Sequence, residues 1–178
     1  MRISLVIGFL AVVWAVPAHA QAECKADYVL APDKSALSIL FSDLTVEGAG
    51  SHSAQCSIDV ALDLPEGMSL GVYRVDYRGF ASLAKKATAT LEVDFNLGPK
   101  GNSRLFKRTV RGMIEDDFSF RENIGAGLMK RVGCGVDPKL DVDVSLVLEG
   151  GGESLATLDT SDGASTRGLV YQFDLKKC

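Results

Sequence analysis

The chain reads as an all-β protein, an antiparallel β-sandwich of immunoglobulin-like or jelly-roll-like form, and three observations predict it. Apolar and polar residues alternate with strict period two in several segments, the mark of strands with one buried and one wet face. Glycine and proline break these runs at short intervals, as at "PEG" (65–67), "GPKGN" (98–102) and "EGGGE" (149–153). No stretch carries a helical period, and many short strands with such breaks favour a sandwich.

The first twenty residues read as an address. Arg2 supplies a charged start, residues 3–15 are apolar, and "AHA" at 18–20 offers small residues for cleavage, the secretory pattern. A cut after Ala22 fits the same rule. The apolar run is shorter than the ~20 residues that span a bilayer. The expected organisation is therefore a signal peptide over 1–20 and one secreted domain over 21–178, with no transmembrane segment. Removing 1–20 takes away Arg2 and no acid, so the net charge of −4 becomes −5. It also takes away Trp14 and His19, leaving no tryptophan and His52 as the one histidine.

The strands follow in order. "ALSILFSDL" (36–44) is apolar enough to be central or covered on both faces. In "CSIDVALDL" (56–64), Cys56, Ile58, Val60, Leu62 and Leu64 share one face, with Ser57, Asp59 and Asp63 on the other. The "PEGM" turn suggests a hairpin pairing Leu64 with Ser69, Val60 with Tyr73 and Ile58 with Val75, with Asp59 opposite Arg74 on the wet face. Beyond it, Val75, Tyr77, Gly79, Ala81 and Leu83 face inward, Gly79 marking a bulge or a close approach. Arg74, Asp76, Arg78 and Phe80 face outward. In "TLEVDFNL" (90–97) the inward set is Leu91, Val93, Phe95 and Leu97; in "LDVDVSLVL" (140–148) it is Leu140, Val142, Val144, Leu146 and Leu148. The last strand buries Leu169, Tyr171, Phe173 and Leu175.

Four cysteines, Cys24, Cys56, Cys134 and Cys178, lie in the exported part, and an even number there reads as two disulfides. Spacing allows three connectivities. The preferred one joins Cys24 to Cys56 and Cys134 to Cys178, because each bond ties a terminus to the start of a strand or loop. No CxxC or Cys/His spacing suggests zinc.

These residues also carry a resemblance. "APDKSALSILFSDLTVEGAG", "QCSIDVALDLPEGMSLGVYRVDYRGFASL", "VGCG", "LDTSDG" and the closing "YQFDLKKC" resemble, in that order, the secreted family catalogued as domain of unknown function 4360. The resemblance covers nearly all of the mature chain. The start departs from it: the family's glycine-rich run and proline near the first cysteine are absent around "AECKAD". It implies a secreted, disulfide-tied protein and carries over no catalytic residues.

Candidate chemistry is sparse. There is no GxSxG, no HExxH and no second histidine, which argues against serine or zinc hydrolysis. Paired acids could serve a polysaccharide-active enzyme, with Asp141 and Asp143 suitably spaced, but Asp59, Asp63, Glu92 and Asp94 occupy wet faces in the same way. Asp159 and Asp162 in "LDTSDG" are the candidate calcium ligands; an Asx turn explains the same letters. No other cofactor is expected. The basic run Arg104, Lys107, Arg108 and Arg111 is followed by Glu115, Asp116 and Asp117, and the acidic net charge disfavours nucleic acid. In the row Arg74, Asp76, Arg78 and Phe80, Asp76 is expected between Arg74 and Arg78, so the charges can satisfy one another as the wet side of a structural strand. The alternative makes the row the candidate binding face, where Arg78 could take a carboxylate or phosphate. The functional expectation is a non-catalytic, secreted or periplasmic binding protein for an extracellular protein or glycan. The alternatives are an enzyme acting through paired carboxylates and a purely structural surface protein.

Overall fold

A computed structural model describes residues 24–99, 103–158 and 168–178. Among them are strands and connections but no helix, and hence no helix long and apolar enough to cross a membrane. The larger sheet orders β1 (Ala26–Leu30), β2 (Ala36–Phe41), β12 (Gly168–Lys177), β5 (Met68–Leu83), β11 (Ser154–Thr157) and β3 (Thr45–Gly48). On the free side of β5 it adds β8 (Ile114–Asn123) and β9 (Arg131–Gly133). The smaller sheet orders β4 (His52–Ala61), β10 (Lys139–Glu149), β6 (Thr88–Leu97) and β7 (Ser103–Arg111). All pairings are antiparallel. The two sheets pack face to face as the sandwich that the alternation predicts.

Period-two patterning places the core correctly on both sheets. Val60, Leu91, Val93, Phe95, Leu140, Val142, Val144, Leu146 and Leu148 from the smaller sheet meet Leu37, Ile39, Phe41, Val75, Tyr77, Leu169, Tyr171 and Phe173 from the larger. Each such side chain contributes roughly 1.5–3 kcal/mol on burial. Aromatic rings bridge the layers: Phe95 lies 5.4 Å from Tyr171 and 6.0 Å from Phe106, which is 6.3 Å from Tyr77. Burial pushes both phenols well above their ordinary range, so they stay neutral.

The hairpin expected between "CSIDVALDL" and "VYRVDYRGF" does not form. β4 pairs with β10, with Ile58 opposite Val142 and Asp59 opposite Asp141, while β5 lies in the other sheet. Leu62 donates its N–H to the Pro138 carbonyl, and the chain then crosses between layers. The physical reason is that alternation says which side chains face the core, not from which sheet. Two strands facing across the core satisfy the same parity as two paired neighbours.

A second correction concerns Tyr73, expected inward and found exposed. The register of β5 against β12 slips there: Phe173 pairs with Val72 but Gln172 with Arg74. This bulge makes Tyr73 the extra residue, so even-numbered Leu70 and Val72 are buried before it and odd-numbered Val75 and Tyr77 after it.

Both disulfides have the preferred connectivity, with Cα separations of 5.1 Å for Cys24–Cys56 and 5.6 Å for Cys134–Cys178. The first joins the start of the larger sheet's edge strand to β4 at the matching edge of the smaller sheet. On the opposite side of the sandwich, β7 continues into β8 through a tight connection, and Arg108 pairs with Glu122 across the layers.

Candidate functional site

β5 is the spine of the site. Its sixteen residues are paired on both edges, to β12 and β11 on one side and β9 and β8 on the other. Such a strand has little freedom, so its outward side chains stand on a fixed grid. Cross-strand register fixes the neighbours. Arg74 lies between Asn123 and Gln172, Asp76 between Arg121 and Val170, Arg78 between Ser119 and Gly168, and Phe80 between Asp117 and Thr157.

Asp76 departs from expectation. It points away from the core, yet only 7% of it is exposed, because two arginines cover it. Arg74 Nε lies 2.9 Å from Asp76 Oδ2, and Arg121 Nε donates to Asp76 Oδ1 at 2.7 Å. A carboxylate so enclosed is tolerated only because both oxygens meet a cation. Arg74 also stands over the Tyr73 ring, 5.9 Å from its centroid.

Arg78 is different. The sequence reading set Asp76 between Arg74 and Arg78, but Asp76 turns to Arg121 instead. Asp59, expected opposite Arg74, lies in the other sheet and pairs with Lys139 at 3.4 Å. Arg78 is exposed and has no carboxylate partner at ion-pair distance among the described residues. Its two register neighbours are small, Ser119 on one side and Gly168 on the other. Phe80 follows it on the same face, half-buried. The structure thus brings Arg74, Asp76, Arg78 and Phe80 onto one outer face, as predicted. It adds Arg121, which sequence reasoning missed. The signal was available in "FSFREN", where Phe118 and Phe120 alternate with Ser119 and Arg121.

The other candidates fare differently. Asp159 and Asp162 lie outside the described residues. Among the described residues, no three acidic, histidine or cysteine side chains come together as a metal site. His52 Nε2 sits 3.0 Å from the carbonyl of Ala49 in its own loop. Three of the four residues of the basic run find partners other than Glu115, Asp116 and Asp117. Lys107 pairs with Glu92, Arg108 with Glu122, and Arg104 donates to the Leu128 carbonyl.

The acids of the smaller sheet line its outer face. Lys139 Nζ lies 2.7 Å from Asp141 and 3.4 Å from Asp59, while Ser57 donates to Asp143. A shallow depression of about 240 Å³ beside them is lined by Gln55, Ser57, Glu92, Asp94, Asp143 and Ser145, among others. The Lys139 ammonium holds the Asp141 carboxyl below its usual range, so Asp141 stays ionised and is unsuited to donate a proton at neutral pH. Because its folded pKa is depressed, the stabilisation is complete above the unfolded value. It is lost as pH falls through the folded one, below about pH 4. Urea midpoints measured from pH 5 to pH 2 should therefore fall less steeply for Asp141→Asn than for the wild type. Equal slopes would mean that the ion pair contributes nothing to folding.

Comparison with known proteins places the chain. The model of the family described as domain of unknown function (DUF4360) matches residues 23–178, and the chain belongs to that family. It is similar to an uncharacterized secreted protein of Arthroderma benhamiae, 21% identical over 144 residues. The match covers 78% of this chain and 59% of that relative's length. Among solved structures it is similar to TmCBM61 in complex with beta-1,4-galactotriose, at 18% identity, 88% coverage of each chain and a TM-score of 0.36. With its two disulfides, the chain is an exported protein, secreted or periplasmic.

Proposed function

We propose that this member of the DUF4360 family is a non-catalytic binding protein, and that the outer face around Arg78 captures an anionic group on an extracellular or envelope partner. Residues 21–178 would act as one domain once the signal is removed. One observation carries the reading: Arg78 is an exposed guanidinium without a carboxylate partner among the described residues, on a strand held from both sides. Arginine suits this role because its planar fork meets a carboxylate or phosphate with two parallel hydrogen bonds. The enzyme reading has less behind it, since both of its paired acids are engaged on the outer face of the smaller sheet, Asp141 with Lys139 and Asp143 with Ser57.

The test compares mature wild type and Arg78→Ala for retention on carboxylate-bearing and neutral matrices at physiological salt. The net charge of −5 opposes bulk attraction to such a matrix, so retention reports a local site. A charge-assisted hydrogen bond is worth roughly 1.5–3 kcal/mol, so binding should weaken about tenfold or more in the variant at unchanged melting temperature. Equal retention of both proteins would remove this face. Failure of the wild type to bind any anionic matrix would remove the reading altogether.

A further inference from the structure

We infer that the partner is a linear, carboxylated polysaccharide laid along β5 and held at successive steps by Arg74, Arg121 and Arg78. This rests on the binding role proposed above for Arg78 and goes beyond it in naming the ligand and two further residues. Among the described residues, three guanidinium groups form a zigzag along the stretch from Arg74 to Arg78. Arg74 and Arg78 are four residues apart on β5, and Arg121 on β8 stands at the rung between them, opposite Asp76. Same-face positions along a strand recur about every 7 Å, so the row spans roughly 14 Å with a cation at each step.

Asp76 is the positioning residue. It is buried, with Arg74 Nε and Arg121 Nε at ion-pair distance from its two oxygens. Arg121 remains 58% exposed at its side chain and Arg74 30%. The three arginines therefore outnumber the carboxylate between them. A small anion would use one of these forks, whereas an extended chain with recurring carboxylates uses all three.

The rest of the face fits sugar better than a denser polyanion. Asn123 and Gln172 flank Arg74, and Ser119 flanks Arg78, offering amides and a hydroxyl to ring hydroxyls. Phe80 at the end of the row offers an apolar ring edge. A duplex carries one charge per about 1.7 Å, far denser than cations spaced by about 7 Å, and a chain of net charge −5 repels it at long range. One carboxylate per sugar suits widely spaced arginines.

The experiment titrates mature protein with galacturonate oligomers of one, three and six units, with methyl-esterified polymer and with single-stranded DNA, by calorimetry. The hexamer should bind at least tenfold more tightly than the monomer. Esterification should abolish binding, and Arg121→Gln should remove most of the gain with length in protein that still melts cooperatively, at a lower temperature because Asp76 loses one of its two cations. If Arg121→Gln fails to fold, Arg121→Lys carries the same comparison with a smaller loss. Equal, Arg78-dependent affinity for monomer and hexamer would overturn the linear ligand while leaving an anion site at Arg78. Binding of DNA with the uronates ignored would overturn the polysaccharide. If neither binds and carboxylate matrices are ignored as well, the binding reading itself falls.

Discussion

Replacing Cys134 and Cys178 together with serine should destabilise the protein by roughly 4 kcal/mol, the loop-closure value for a bond across a sequence separation of 44. Against the 5–15 kcal/mol typical of a domain, that is a large share. The location supports the upper part of the range. Cys178 closes the end of β12, which runs through the middle of the larger sheet between β2 and β5. Its N–H is bonded to Gly67, 2.8 Å away. Without the cross-link, the exposed residues after Leu175 can fray and expose the register of β12 against β5. Urea titration under non-reducing conditions reads the loss as a lower midpoint at nearly constant slope. Wild type unfolded in the presence of reductant should move toward the double variant. A change below about 1 kcal/mol would mean that the reduced, unfolded chain already holds its C-terminus near residue 134.

The same cross-link marks the boundary of what could be read in advance. The pairing followed from a preference for tying termini down, and three connectivities were open on spacing. Core faces were legible wherever a strand is uninterrupted, as at Leu91 to Leu97 and Leu140 to Leu148, because burial on one face leaves a period of two. Sheet membership was not legible. Ile58 and Val75 both face the core, and nothing in their local sequence says whether they are neighbours or opposite one another. The bulge at Tyr73 was also hidden, since a residue that resets the parity has an ordinary aromatic letter that fits either face. The site was half legible for a related reason. Alternation placed Arg74, Asp76, Arg78 and Phe80 together, but the partner that decides their roles, Arg121, comes from a strand 45 residues away in sequence. Local patterning could not say that Asp76 would be covered, nor that Arg78 would be left exposed.

Gly79→Ala should destabilise the fold by about 3 kcal/mol, at the upper end of the usual overpacking range, and should disturb the binding face with it. Gly79 lies on the inward side of β5 between Arg78 and Phe80. A Cβ there would come within 2.4 Å of the Thr157 carbonyl oxygen and 2.4 Å of Phe118 Cζ. Real contacts of that length do not occur, so something must move, and the two obstacles differ in kind. The Phe118 ring can rotate or be trimmed, whereas the Thr157 carbonyl belongs to β11, which pairs with Phe80 through Ser82. Relief there means parting the strands. Combining Gly79→Ala with Phe118→Leu should therefore recover only a minor part of the loss, because the backbone contact remains. Complete recovery would put the constraint in the ring and leave the β5–β11 spacing soft. A neutral single variant would mean that β5 can move outward at this point, and Arg78 would then no longer stand on a rigid platform. Severe loss without rescue makes Gly79 the close approach that sets the height of the face, and ties the stability of the sandwich to the position of its exposed guanidinium.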